Sequence, residues 1–192
     1  MYRVYRAMGL NLRVKPKKRL PTREAKRLQP PSLPNMQWSL DFMSDSLRTG
    51  RPFRSLNILD EYNREALWIE IDSSLPARRV TRVLDQVAEW RGQYPRQLRL
   101  DNGPEFIARE MARWAEMHQV TLAFIEPGKP AQNAYIERFN RTFREDVLDA
   151  YSFESLAEVR ALSEKWLEEY NTVRPHQALG NMTPYQYKAL NT

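Results

Sequence analysis

The sequence feature that most constrains the fold is a carboxylate placed where a strand ends. Asp101 follows the strand-like run 98–100 and precedes an Asn-Gly turn signal and Pro104, a residue that suits the first turn of a helix. Strand, turn and helix in this order form an α/β unit, and such units bind ligands at the carboxyl ends of their strands. The sequence therefore predicts an α/β fold with Asp101 at the mouth of a ligand site.

A second carboxylate, Glu137, is separated from Asp101 by 35 residues and lies in a segment with helical periodicity. Glu137, Arg141 and Arg144 fall at i, i+4 and i+7 on one face of that helix. The neighbouring face is predicted to pack against the core, and its apolar positions are Ile136, Phe139, Phe143 and Val147.

Both acids lie in motifs that resemble the second half of the DDE catalytic signature of retroviral-integrase-like transposases. The motifs are L-D-N-G-P-E-F around Asp101 and N-A-Y-I-E-R-F-N-R-T-F-R around Glu137. The resemblance is strongest to the OrfB-like transposases of IS3-type insertion sequences, and it extends from about Val4 to about Tyr187. It implies a ribonuclease-H-like fold, in which helices flank a five-stranded mixed sheet, with a basic amino-terminal arm before it.

The resemblance also implies three catalytic and metal-binding residues: Asp41, Asp101 and Glu137. Asp41, in W-S-L-D-F-M, matches the leading Asp of the family. Three carboxylates are hard oxygen donors, and the chain has no Cys and only two His, so the suitable ion is Mg²⁺ or Mn²⁺. Two such ions, present when DNA is bound, would clamp an in-line phosphoryl displacement. The implied function is a transposase that cleaves DNA and transfers strands at insertion-sequence ends.

Other residues are expected to support this chemistry. Asp60, at the end of the second predicted strand, matches a family position beside the site and is expected to support the metal ligands without binding the ion. Arg144, and less specifically Arg141, are expected to meet DNA phosphate. The cluster K-P-K-K-R suits phosphate contacts as well, and its cations are Lys15, Lys17, Lys18 and Arg19.

Each acid also has a purely structural interpretation, and two other functions fit parts of the pattern. An Asp before Asn-Gly is often a turn residue, an Asp in a strand can pair with Arg, and a Glu in an Arg-rich helix is often half of an i,i+4 pair. The chain matches only the last helix and turn of the family's DNA-binding region, which is compatible with a catalytically idle, DNA-binding or regulatory remnant. A ribonuclease H or resolvase-type nuclease would cut DNA without joining it.

Charge divides the chain into an arm and a core. The net charge is +6, but residues 1–30 carry ten Lys or Arg and one Glu, which leaves −3 for residues 31–192. Pro30, Pro31 and Pro34 form a stiff linker after the arm. We predict a basic arm and linker over residues 1–34 and a catalytic core with a carboxy-terminal helix and tail over residues 35–192.

Hydrophobic periodicity predicts the elements of the core. Strands are expected at 37–44, 53–60, 66–72, 98–100 and 120–125. Helices are expected from a Ser73 or Ser74 cap to Gly92, over Glu105–Gln119, around Glu137, and from a capping box at Ser155 and Glu158 to Tyr170. All five Trp are expected in the core, since each lies in a periodic segment.

The sequence also limits partners and location. No apolar run approaches the roughly 18 residues of a membrane span, and no secretory signal follows the basic amino terminus. The expected partners are DNA, as element ends and target, and further copies of the chain assembled on DNA, with no membrane and no small-molecule substrate. The expected location is the bacterial cytoplasm, in association with the nucleoid.

Overall fold

Most strands come early in the chain, and helices cover the sheet that they form. The computed structural model describes Met8, residues 28–126, Gly128 and residues 130–191. The strands are β1 (Gln37–Ser46), β2 (Pro52–Asp60), β3 (Ala66–Asp72), β4 (Gln97–Leu100) and β5 (Thr121–Phe124). The helices are α1 (Ala77–Arg91), α2 (Arg109–Met117), α3 (Ala134–Phe143), α4 (Leu156–Thr172) and α5 (Pro184–Asn191). Pro130–Asn133 and Gln177–Leu179 form short 3₁₀ helices, and α3 continues as a π-helix over Arg144–Leu148.

The five strands form one mixed sheet in the order β3-β2-β1-β4-β5. β1, β2 and β3 pair antiparallel as successive hairpins, whereas β4 pairs parallel to both β1 and β5. The predicted neighbours β1 and β4 therefore lie side by side. The predicted α/β fold with a five-stranded mixed sheet and flanking helices is confirmed.

The two faces of the sheet bury different clusters, because side chains alternate along each strand. On β1, Trp38 and Leu40 point to one side, where they join residues of α1 and α2 such as Leu84. Met43 points to the other side and joins residues of α3 and α4, among them Phe139. We call these sides the α1 face and the α3 face.

Helix boundaries follow the predicted periodicity in some places and not in others. α1 ends at Gly92, whose φ of 73° is the left-handed conformation that favours glycine at a helix end. The predicted cap by Ser73 or Ser74 is wrong, because the residue before α1 is Pro76 and no side chain caps the helix. Trp90 is 54% exposed, so its predicted place in the core is also wrong.

The helix predicted over Glu105–Gln119 begins later, at Arg109. Residues 104–106 form a turn and 107–108 a bend instead, and the Glu105 carboxylate accepts a hydrogen bond from the Arg54 guanidinium of β2. Arg54 also stacks over the Phe42 ring, with 4.2 Å from its Cζ to the ring centroid. A tertiary ion pair thus holds this segment in a turn that its local sequence does not reveal.

The carboxy-terminal helix and tail close the α3 face. The predicted cap by Ser155 is confirmed, since its hydroxyl accepts from the Glu158 amide at 3.3 Å, but the Glu158 carboxylate accepts from the amide of Glu154, one residue before the cap, at 2.9 Å. After it, Asn171 is fully buried and forms two hydrogen bonds with the backbone of Ala66, of 2.8 and 2.9 Å. These two bonds fasten α4 to β3 at the edge of the sheet.

The predicted division at residues 34 and 35 stays a prediction, because most of the arm, including Lys15, Lys17, Lys18 and Arg19, lies outside the described residues. Within the described residues, no helix combines the length and the hydropathy needed to cross a membrane.

Candidate active site

Asp41 lies in the middle of β1, on the α3 face. Its strand neighbours Leu40 and Phe42 point to the α1 face, as the predicted alternation requires. Across the hairpin Asp41 pairs with Asn57 of β2. Its Oδ1 accepts from the Phe42 amide at 2.9 Å, and the side chain is half-buried.

Asp101 follows the last residue of β4. The parallel register pairs Trp38 with Leu98 and Ser39 with Arg99, so two further steps bring Asp101 beside Asp41. The Asp101 Oδ1 accepts from the Gly103 amide at 2.9 Å. A Cβ at position 103 would also come within 2.9 Å of that oxygen, which explains physically why glycine suits the third position of the D-N-G motif.

Glu137 lies in the first turn of α3 and is exposed. One turn further on, the Asn140 Nδ2 donates to the Asp41 Oδ2 at 2.8 Å, and the Asn140 Oδ1 accepts from the Asn57 side chain at 2.6 Å. Asn140 therefore fixes how α3 sits over β1 and β2. The same contact brings the Glu137 side of the helix towards the strand acids.

The pKa of Asp41 shows that the charges of Asp101 and Glu137 act on this carboxylate. Burial raises the pKa of Asp41 to about 6, the Phe42 amide opposes that rise, and the charges of Asp101 and Glu137 add to it. None of the three acids forms an ion pair with any Lys or Arg that the structure describes. Asp101 and Glu137 thus lie near enough for their charges to act on Asp41, and no described Lys or Arg pairs with any of the three.

The donor set fits Mg²⁺ or Mn²⁺ in chemistry, because all available ligands are carboxylate oxygens and one of them is already desolvated. Their spacing is more open than a closed cage, since no three acidic, His or Cys side chains among the described residues come close enough to hold a metal ion. The three carboxylates repel one another when they are ionised. Because Glu137 is exposed to solvent, its repulsion with the two strand acids is weaker.

An ion-pair network that the sequence did not reveal lies beside the acids. Glu61 is buried, and its Oε1 is 3.0 Å from Arg99 Nε and accepts from the Ser39 hydroxyl. Arg99 also donates to the carbonyl of Gln132, in the 3₁₀ turn directly before α3. Arg99 thereby ties β4 to the segment that carries Glu137. Sequence patterns do not reveal such partners, because Arg99 and Gln132 lie 33 positions apart.

The structure does not bring Asp60 to the other acids. Its carboxylate accepts from the amides of Asn35 and Tyr62, at 2.8 and 3.0 Å, and lies 3.5 Å from Arg91. Asp60 pairs with Trp38, whose side chain points to the α1 face, whereas Asp41 points to the α3 face. Burial raises the pKa of Asp60, and the two amides and Arg91 oppose the rise. These contacts correct the expected placement of Asp60 beside the metal ligands.

The predicted phosphate contacts of α3 fall in two different environments. Arg144 donates to Asp45 at 3.1 Å, to the Ser44 carbonyl at 3.0 Å and to Asp149 at 3.4 Å, so protein acceptors already engage its guanidinium. Arg141 is exposed. Contact of either residue with DNA stays a prediction, as do the catalytic roles of the three acids.

Comparison with known proteins identifies the family. Residues 31–130 match the integrase core domain, and residues 118–184 match a second family of the same description. The chain belongs to the integrase core domain family. The resemblance drawn from the motifs is confirmed.

Two relatives encoded by insertion elements share 41% identity with this integrase core over 189 residues, or 98% of the chain. One is an uncharacterized 39.2 kDa protein of IS476 from Xanthomonas euvesicatoria, and the other is an uncharacterized 31.7 kDa protein of IS407 from Burkholderia multivorans. The aligned region covers 54% of the first relative and 68% of the second. The integrase core therefore spans about half the length of one relative and two thirds of the other.

A solved structure supports the fold independently. The HTLV-2 integrase catalytic core domain, determined in complex with magnesium in a trimeric form, matches with a TM-score of 0.64 at 16% identity. The match covers 81% of this chain and 97% of that one. The ribonuclease-H-like fold of the integrase core is thus confirmed.

Proposed function

We propose that this integrase core is the catalytic part of a transposase that cleaves DNA and joins strands at insertion-sequence ends. The observation that carries the proposal is the convergence of Asp41, Asp101 and Glu137 without a protein cation, with Asp41 desolvated in the field of the other two. The insertion-element relatives, at 41% identity, support the same assignment.

Asp41, Asp101 and Glu137 would hold the Mg²⁺ or Mn²⁺, two ions when DNA is bound. The metal would activate the attacking oxygen and stabilise the leaving 3′-oxygen of an in-line displacement. The HTLV-2 core determined with magnesium supports the choice of ion.

Hydrogen bonds from neighbouring groups of the chain orient the acids before any metal binds. The Phe42 amide and the Asn140 side chain each donate to one oxygen of Asp41, so the orientation of its carboxylate is set before any ligand arrives. The Gly103 amide does the same for Asp101. Arg99 holds the turn before α3 and positions Glu137 indirectly. Preorganised ligands of this kind lower the reorganisation required in the reaction.

The proposed reaction has two displacements at phosphorus. In cleavage, water attacks the phosphodiester at the element end, the bond to the 3′-oxygen breaks, and that oxygen leaves as a 3′-hydroxyl. In joining, the freed 3′-hydroxyl attacks a phosphodiester of the target strand and displaces its 3′-oxygen. DNA is therefore both substrate and partner, and several copies of the chain would assemble on it in the bacterial cytoplasm, at the nucleoid.

The test is a cleavage and strand-transfer assay on a duplex that carries an insertion-element end, in Mg²⁺ and in Mn²⁺. Asp41→Asn, Asp101→Asn and Glu137→Gln should each abolish joining, because the change keeps the volume but removes the charge that the metal needs, while DNA binding persists. Glu110→Gln is the matched control, since Glu110 also lies exposed in the first turn of a helix. It should leave joining unchanged.

Three outcomes would overturn the proposal. Joining that survives Glu137→Gln undiminished would remove Glu137 from the metal site. A parent chain that binds DNA but neither cuts nor joins any cognate end would instead favour the DNA-binding or regulatory remnant. Cutting without any joining would favour a nuclease.

A further inference from the structure

A small cavity lies on the opposite side of α3 from the acids, under the R-P-H motif of the tail. Its volume is about 170 Å³, below the roughly 300 Å³ at which pockets for drug-sized ligands begin. At about 30 Å³ for each water, the space corresponds to roughly six waters. Its polar lining residues include Arg64, Tyr135, Arg138, Tyr170, Arg174 and His176.

One helix serves both sites through different faces. Tyr135, Arg138 and Thr142 line the cavity and are spaced i, i+3 and i+7, which places them on one face of α3. Glu137 and Asn140 belong to the face that meets the strand acids. The cavity is therefore a separate site that shares its wall with the candidate active site.

Three guanidinium groups converge on this cavity with few acids to balance them. Arg174 forms an ion pair with Asp146, a residue that does not line the cavity. The Arg64 Cζ stacks over the Tyr135 ring at 3.5 Å from its centroid, and the charge of Glu61 acts on it from a distance. Arg138 forms no ion pair with a described residue. Like charges this close repel in a partly desolvated site, and a bound anion would relieve the repulsion.

Two buried polar atoms at the cavity lack a partner among the described residues, namely Arg64 Nη1 and His176 Nε2. Arg64 Nη1 is a charged donor without an acceptor, which costs about 1–3 kcal/mol or more and calls for an explanation. His176 hydrogen-bonds the Tyr170 backbone, so the Nε2 of its neutral ring is an acceptor. Burial lowers the pKa of His176 to about 4, helped by the charges of Arg174, Arg138 and Arg64. The His176 ring is therefore neutral at pH 7 and does not add to the positive charge.

We propose that this cavity binds a phosphate group. A tetrahedral oxyanion supplies acceptors to a guanidinium fork such as that of Arg64, and Arg is the side chain best suited to that geometry. The volume admits one phosphate group with a few waters but no nucleoside. One source of the phosphate is a DNA strand that crosses α3, and this alternative rests on the proposed function. The other source is free inorganic phosphate, and this alternative is independent of the proposed function.

The first experiment measures binding of inorganic phosphate by calorimetry and by thermal shift, against chloride at equal ionic strength. Arg138→Gln removes one cavity cation from an exposed position, so the fold should tolerate it. Arg64→Lys keeps the charge but loses the planar fork. Each variant should weaken phosphate binding roughly 10-fold or more, as expected for loss of one hydrogen bond to a charged group.

Arg82→Gln is the matched control, because Arg82 is exposed on α1 at the opposite face of the sheet. It should bind phosphate like the parent. A parent that responds to phosphate no more than to chloride, or an Arg138→Gln variant that binds like Arg82→Gln, would overturn the proposal.

The second experiment identifies the source of the phosphate. For duplex binding, log K falls as log salt rises. This negative slope should become shallower by about 0.9 in Arg138→Gln if the variant loses one DNA phosphate contact. An equal slope in parent and variant, together with weakened binding of inorganic phosphate, would assign the site to free phosphate. Asp41→Asn should retain phosphate binding even though joining is lost, so failure of this proposal and failure of the proposed catalysis are separable.

Discussion

The α1 face and the α3 face of the sheet differ in how completely their buried polar groups are hydrogen-bonded. The α1 face buries an apolar cluster, with Leu40, Leu84 and Leu100 fully inaccessible. The α3 face buries Ser39, Asn57, Glu61 and Asn140 among its apolar residues. Every buried side-chain atom found without a hydrogen-bond partner in the described residues also lies on that side, in Ser55, Asn57, Glu61, Arg64, Asn133 and His176.

This difference indicates that the α1 face mainly stabilises the fold, whereas the α3 face carries the candidate active site. Apolar packing dominates the α1 face, where the buried Asp60 is satisfied by two amides and Arg91, whereas the α3 face holds desolvated acids and partnerless polar atoms that each cost free energy. Such departures from satisfied burial are expected at functional sites. Substitutions on the two faces should therefore differ in the sign as well as the size of their effect.

The largest expected effect comes from a cavity on the α1 face. Leu84→Ala should lower the free energy of unfolding by about 2–5 kcal/mol, because Leu84 is fully buried and its surroundings are close-packed. Urea denaturation measures the change. Ser55→Ala is the counterpart on the α3 face, where the Ser55 hydroxyl is buried without a partner, and it should be neutral or stabilising. Equal destabilisation by both substitutions would break the distinction between the faces.

The next effect has the opposite sign. In the metal-free protein, Asp41→Asn should raise the free energy of unfolding at pH 8 by up to about 3 kcal/mol, since the pKa of Asp41 is raised from 3.8 to about 6. Because the folded state binds the proton more tightly, the parent is favoured below pH 4 and loses that advantage as pH rises through 6. Above pH 6 it carries an ionised, partly buried carboxylate that the Asn variant lacks.

Unfolding curves at pH values from 4 to 8, in a metal chelator, measure this difference. Asp45→Asn is the control in the same strand, because the Arg144 guanidinium lies 3.1 Å from Asp45 and removing that acid should not stabilise the protein. A gain from Asp41→Asn that does not change with pH would show that desolvation of the charged carboxylate is not its cause.

The two faces also differ in how far sequence predicts them. Strand alternation, the stripe of α1 and its Gly92 end depend on neighbours within a few residues, so local pattern predicted them. The contact between Asn140 and Asn57 joins residues 83 positions apart, and the bond from Arg99 to Gln132 joins residues 33 apart. Sequence periodicity cannot anticipate such contacts. Local pattern predicted Asp101 at the mouth of a ligand site, but the three acids were proposed as one catalytic set because their motifs resemble a known family.

The late start of α2 and the exposure of Trp90 have a similar origin. Glu105 favours a helix locally, but its ion pair with Arg54, 51 positions earlier, holds the segment in a turn. Trp90 lies next to the buried Arg91 side chain, but its own ring lines two surface grooves. In both cases the deciding contacts are tertiary, and helical periodicity alone does not contain them.

The smallest expected effect on stability gives the sharpest view of the α3 face. Asn140→Ala should cost about 1–2 kcal/mol, because Asp41 loses a donor and Asn57 loses an acceptor. Asn171→Ala should cost a similar amount, since Asn171 is also buried and forms two hydrogen bonds with the Ala66 backbone.

The two variants should differ in the pKa of Asp41. The Asn140 hydrogen bond holds the pKa of Asp41 down, so Asn140→Ala should raise that pKa above about 6, while Asn171→Ala leaves it unchanged. Carboxyl carbon NMR of Asp41 against pH measures both. If the two variants titrate alike, Asn140 is a packing residue like Asn171, and the polar network of the α3 face does not tune its acids.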